Sequence, residues 1–141
     1  MNDEELEKFP IITEIPVRWG DMDSFGHVNN TMFFRYFETA RIDLFYALES
    51  YQSWRDKGVG PILAYTDCRF IAPLQYPDTV LAGARVQSLE DTEMIIEHVL
   101  YSEQKDTKVA QGEAHMVWYD YKNAKREQIS VELREEFLRL S

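Results

Sequence analysis

Between Met32 and Leu48 the apolar residues recur every three or four positions, at Met32, Phe33, Tyr36, Phe37, Ala40, Leu44 and Leu48. That spacing is the period of an α-helix with one wide apolar stripe. Arg35, Glu38 and Thr39 fall off the stripe, Asp43 sits at its margin, and no proline interrupts the segment. The pattern predicts one long helix running to about Glu49. A helix with so broad an apolar face needs something equally apolar to lie on, and the rest of the chain supplies strands.

From Pro61 onward the period changes to two. "PILAYTDCRFIAPL" reads as one strand, and Pro73 with "QYPD" breaks it. "TVLAGARVQSL", "TEMIIEHVLYSE" and "KVAQGEAHMVWYDY" follow, separated by the short polar turns "EDT" and "EQKDT". Three successive strands on tight turns predict an antiparallel meander. Upstream, "IITEIPVRW" at 11–19 predicts a further strand in which Pro16 is tolerated at an edge. "YQSWRDKGVG" reads as a helical turn and loop closed by Gly58 and Gly60. The tail "SVELREEFLRL" reads as a terminal helix, with Ser130 as N-cap and Glu132 in its first turn. Leu133 stands where a full capping box needs an acid or amide.

One face of "KVAQGEAHMVW" carries Ala110, Gly112, Ala114, Met116 and Trp118. Small residues at successive same-face positions let a bulky element approach closely, and the aromatic helix is the candidate. The expected architecture is α+β: one domain over 1–141, with a long central helix wrapped by a curved antiparallel sheet of about five strands. Such a sheet leaves edges to be covered, and self-association into a homodimer or homotetramer is the natural cover.

The chain has 25 acidic and 15 basic residues, a formal net charge of −10. This argues against nucleic acid as a partner, since that needs a basic face. Cys68 is the single cysteine, which fits a reducing compartment. The acidic "MNDEELEKF" lacks the apolar core of a signal peptide, and no stretch has the roughly twenty apolar residues of a membrane helix. A cytoplasmic protein without a membrane partner is expected.

The chemistry is concentrated just before the helix, in "RWGDMDSFGHVNN" at 18–30. Asn29 or Asn30 is the expected N-cap. The first helical turn offers unpaired N–H groups and the positive end of the helix dipole, which can polarise a carbonyl or hold an oxyanion. Gly26 permits a sharp turn or a close ligand. Asp23, a few residues upstream, is placed to attack a carbonyl or to serve as base for a water. A thioester suits this arrangement, because its carbonyl is electrophilic and its thiolate leaves readily. Asp21 and Asp23 can equally be turn residues bonding their own backbone, His27 a structural hydrogen-bonding residue, and Asn29–Asn30 a cap alone. The spacing of acids and glycines does not follow a calcium loop, so no metal and no cofactor are expected.

These residues resemble the signature of the hotdog-fold acyl-CoA thioesterases of the 4-hydroxybenzoyl-CoA thioesterase type. The matching positions are Arg18, Asp21, Asp23, Gly26, His27, Val28, Asn29, Asn30, Tyr36, Glu38, Ala40 and Arg41, continuing through "AYTDCRFIAPLQYPD" at 64–78. The resemblance implies Asp23 as catalytic carboxylate and the backbone N–H near Asn30 as the thioester-carbonyl donor, with Asp21 in support. Gly26, His27, Phe25, Phe33, Tyr36, Pro61 and Ile62 are the candidate substrate-binding residues. It further implies an acyl-CoA substrate and active sites formed between subunits. The family's basic grip on coenzyme A phosphates meets the acidic "SLEDTEM" here. Arg69, Arg85, Lys105, Lys108, Lys122, Lys125 and Arg126 are the alternatives.

Two other functions use the same fold: a non-catalytic acyl-CoA binding module, and a hydratase or dehydratase whose Asp–His spacing the Asp23–His27 pair does not match. His98, in phase with Met94, Ile96 and Leu100, is expected in the core or an interface, and His115 on the outer face or in a subunit contact. Cys68, Trp19, Trp54 and Trp118 read as structural.

Overall fold

A computed structural model describes residues 4–141, and the first three residues of the acidic start lie outside the described residues. The sheet is built from β1 (Ile11–Pro16), β2 (Val59–Thr66), β3 (Arg69–Phe70), β4 (Thr79–Leu89), β5 (Glu93–Ser102), β6 (Thr107–Asp120) and β7 (Lys125–Arg126). The helices are α1 (Asn30–Tyr46), α2 (Tyr51–Asp56) and α3 (Val131–Leu138). The strand order is β1-β4-β5-β6-β2, every pairing is antiparallel, and the short β3 and β7 both pair with β6. The predicted meander is β4-β5-β6.

The curled sheet holds α1 against its inner face, as the stripe required. Phe33, Tyr36, Phe37, Ala40, Leu44 and Phe45 are buried there, together with the charged Arg41. Each large apolar side chain so buried contributes about 1.5–3 kcal/mol. The small-residue face of β6 does what its pattern predicted. A methyl group on Gly112 would come within 2.9 Å of the Phe37 ring, and closer still to the Asp67 carbonyl, so only glycine admits the helix this near. At the far end of α1, Phe45, Trp54, Trp118 and Phe137 pack edge to face, with the two indoles 5.0 Å apart. Ser130 caps α3 as expected, its Oγ accepting from the Leu133 N–H at 3.2 Å.

Four expectations are corrected. The segment beginning at Pro61 is not one strand: β2 starts at Val59 and stops at Thr66, and β3 is separate. Asp67 ends the ladder, because its Oδ1 accepts the Glu113 N–H at 3.0 Å while its own N–H donates to Glu113 O at 3.1 Å. β1 stops at Pro16 instead of continuing to Trp19; residues 19–21 turn as a short 3-10 helix. Trp19 is 74% exposed and packs against no core, unlike Trp54 and Trp118. α1 itself ends at Tyr46, with Ala47 as C-cap.

Candidate active site

The loop ahead of α1 folds back on itself as a small antiparallel clasp. Met22 and Val28 form a bridge, the Asp23 N–H donates to His27 O at 2.8 Å, and the Gly26 N–H donates to Asp23 O at 3.1 Å. Gly26 carries φ +79, a left-handed conformation that a side chain would strain. The clasp is tied down from three sides. Val28 N–H donates to Leu74 O at 2.8 Å, Asn29 N–H to Asp21 O at 2.9 Å, and Gln75 Nε2 to Gly26 O at 3.4 Å.

Asp21 is the anchor. Its Oδ2 accepts from the Arg18 N–H and from the Tyr36 hydroxyl, each at 3.0 Å. Tyr36 is 2% exposed, and burial followed by the Asp21 charge pushes its phenol well above the ordinary tyrosine range. It therefore stays a donor into the alkaline range, and its hydroxyl fixes the loop to α1.

Asn29 is the N-cap. Its Oδ1 accepts from the Thr31 N–H and the Thr31 hydroxyl, both at 2.9 Å, and its carbonyl accepts from the Met32 N–H at 2.9 Å. Capping thus consumes the donors of Thr31 and Met32 and leaves the Asn30 N–H without a partner among the described residues. That free donor lies at the positive end of a 17-residue helix. Asp23 stands across the clasp from His27, joined to it by the backbone bond at the clasp's base. Its Oδ1 accepts the Phe25 N–H at 2.9 Å, and its Oδ2 makes no hydrogen bond among the described residues. In the single chain Asp23 is exposed.

The other expected residues scatter. Phe33 is core, its ring 5.1 Å from Phe70. Tyr36 braces the loop instead of facing a ligand. Phe25 is 87% exposed at the tip of the clasp, and His27 is exposed beside it. Ile62 is exposed on β2, and Pro61 lines an aromatic groove of about 390 Å³ with Tyr46, Tyr51, Trp54 and Tyr121, at the opposite end of α1. One chain does not gather these side chains into one cavity. Of the basic residues, Arg85, Lys108 and Arg126 are already paired with Glu97, Glu5 and Glu93. Lys105 Nζ donates to Pro73 O at 3.0 Å, next to the segment that braces the clasp.

Sequence reasoning missed a second cavity, of about 220 Å³, between α1 and β2, lined by Thr31, Phe34, Leu63, Thr66 and Arg41, with the Arg35–Glu38 ion pair on its outer side. The signal open to it was Arg41 itself, four residues after Phe37 and three before Leu44, a charge inside the apolar stripe. His98 lies beneath it, fully buried and stacked 4.9 Å from Phe37. His98 Nδ1 is 3.0 Å from Gly83 O, an acceptor, so that nitrogen carries the proton and Nε2 accepts from Arg41 at 3.3 Å. Burial and then the Arg41 charge push the imidazole down to about 3, so the ring is neutral. His115 is on the outer face beside Tyr65 and Glu113. Burial raises the Cys68 thiol to about 12, which makes it inert. Among the described residues no cluster of His, Cys, Asp and Glu could hold a metal ion, and no helix is long and apolar enough to cross a membrane.

A long helix cradled by a curled five-stranded antiparallel sheet, with an acid-bearing clasp at the helix start, is the hotdog architecture of thioester hydrolases. The chain belongs to the thioesterase-like superfamily, whose family model matches residues 17–137. It is 26% identical over 123 residues to the long-chain acyl-CoA thioesterase FadM of Escherichia coli K12, covering 87% of this chain and 93% of that protein. Among solved structures it is similar to the PA2801 protein of Pseudomonas aeruginosa, with TM-score 0.81, 29% identity, and 90% and 97% of the two chains covered. It is also similar to a thioesterase from Thermus thermophilus complexed with coenzyme A and Zn, with TM-score 0.80, 26% identity, and 92% and 98% covered. The fold and the enzyme class follow: the chain is a thioester hydrolase.

Proposed function

We propose that this enzyme hydrolyses acyl-CoA thioesters to a carboxylic acid and free coenzyme A, with Asp23 as the catalytic carboxylate and the Asn30 N–H as the carbonyl donor. The observation that carries the reading is the pair of unused groups on one rigid loop: a free main-chain donor at the start of α1, and a carboxylate oxygen left open opposite His27. The thioester oxygen accepts from the Asn30 N–H, whose pull grows as negative charge develops. Asp23 Oδ2 takes the proton of a water whose oxygen bonds to the carbonyl carbon. The tetrahedral oxyanion then collapses, the C–S bond breaks, and the proton returns to the departing thiolate. Direct attack by Asp23 through a mixed anhydride uses the same two groups.

Coenzyme A as the carrier is supported by the similarity to an acyl-CoA thioesterase and to a thioesterase holding coenzyme A. A homodimer or homotetramer is supported by β2, which ends the strand order and exposes Ile62, Leu63, Ala64 and Tyr65.

The test is a panel of acyl-CoAs with thiol-release detection, run beside Asp23→Ala. The expected outcome is turnover by the wild type and a loss of at least about 10³-fold in the variant at unchanged thermal stability. Near-wild-type hydrolysis by folded Asp23→Ala would remove the assignment.

A further inference from the structure

We infer that the cavity between α1 and β2 is a subsite for a carboxylate at the far end of the acyl group, read by Arg41. The inference rests on thioester hydrolysis at the Asn30 end of α1.

Arg41 is 6% exposed, and its one hydrogen bond among the described residues is to His98 Nε2 at 3.3 Å. His98 donates its own proton to Gly83 O, so it offers Arg41 a lone pair and no charge. No carboxylate forms an ion pair with Arg41 among the described residues. The acid sharing its cavity, Glu38, is held by Arg35 at 3.0 Å. The buried positive charge is therefore hydrogen-bonded only to a neutral ring, and the Glu38 carboxylate in the same cavity acts on it through space without forming an ion pair, so an arriving anion still finds the fork open. Desolvation works against the charged form of Arg41, and the Glu38 charge offsets only part of that. The guanidinium has five donors in a fixed fork suited to two carboxylate oxygens, and among the described residues all but the one on His98 are unused.

The rest of the cavity grades from polar to apolar to charged. Thr31 lies in the first turn of α1, beside the free Asn30 N–H; Phe34 and Leu63 form the middle; Arg41 is the charged end. Ten residues separate Thr31 from Arg41, about 15 Å of helix, shortened to about 10 Å because the long Arg41 side chain leans toward the N-terminus. A ligand matching that order has a thioester head, a run of methylenes and an acid tail. It is the mono-thioester of a medium-chain dicarboxylic acid.

The experiment compares octanedioyl-CoA, thioesterified at one end, with octanoyl-CoA, which has the same carbon count and lacks the acid. Wild-type kcat/KM is expected to favour octanedioyl-CoA by about 100-fold, because a site built around a buried donor rejects the analogue that leaves it unpaired. Arg41→Gln is expected to bring the ratio near one, and Arg41→Lys, which keeps charge without the fork, to fall between. Because Arg41→Gln removes a buried group and can fail to fold, the wild-type ratio stands as a measurement of its own. Equal or faster turnover of octanoyl-CoA by the wild type overturns the inference. So does a folded Arg41→Gln that keeps the ratio, or one that only dissociates subunits. Calorimetric titration of octanedioate against octanoate, with the Asp23→Ala protein, separates the two readings. Preferential octanedioate binding without thiol release from any acyl-CoA would fault the catalytic reading and keep the subsite. Thiol release without discrimination would do the reverse.

Discussion

The two edges of the sheet are finished differently. β1 is six residues long, alternates exposed and half-buried positions, carries Glu14 and ends in Pro16, which has no N–H to offer. It is also tied inward, because the Thr13 hydroxyl donates to Asp43 Oδ2 on α1 at 2.6 Å. β2 is eight residues long and exposes four uncharged residues in succession, Ile62, Leu63, Ala64 and Tyr65. A charged, proline-ended edge repels further strands, whereas an uncharged apolar one is a template for them. One edge is closed off within the chain; the other is left open as a template, the edge on which the proposed self-association rests.

The contrast is most directly broken by placing the same charge on each edge. Ala64→Lys is expected to dissociate the assembly, seen by sedimentation, and to cost about 100-fold or more in activity per chain. Ile12→Lys on β1 is expected to leave both within about twofold, the ordinary outcome for a surface change. Retained assembly in Ala64→Lys would end the distinction.

Both edges hang on the interior that His98 occupies, and acid is expected to weaken it. The unfolded ring takes a proton near its ordinary value of 6.5, while the buried ring resists until about 3. The unfolded state therefore binds more protons across that window, and stability is lost as pH falls through it. Between pH 7 and pH 5 the loss from this residue is about 2 kcal/mol, read by denaturant unfolding and absent in His98→Gln. A smaller loss of stability belongs to the β1 tie: Thr13→Val is expected to lower stability by about 1 kcal/mol without altering assembly.

Much of this was legible in the sequence because periodicity reports burial. The α1 stripe, the meander and the small face of β6 all follow from which residues must leave water. The interruption at Asp67 was hidden, since its cause is a side chain that replaces a ladder bond 46 residues away in sequence. Trp19 misled because aromatic character alone does not say which side of a turn a residue falls on. At the active end, Asn29 and Asn30 were indistinguishable until cap geometry separated them. The expected acyl-pocket residues were read from one chain, and Pro61 and Phe25 lie at opposite ends of the helix. Arg41 was read only as a signature position, because a period argument treats a charge within the stripe as noise.

The unused donor at the start of α1 belongs to the peptide group, not to the asparagine that bears it. In the proposed reaction, sequence drift can exchange the side chain at position 30 for nearly anything while the donor persists, and only proline would delete the hydrogen outright. On that proposal, what evolution must preserve is a shape, the turn that presents that amide, so the role would be inherited at a position where residue identity is not.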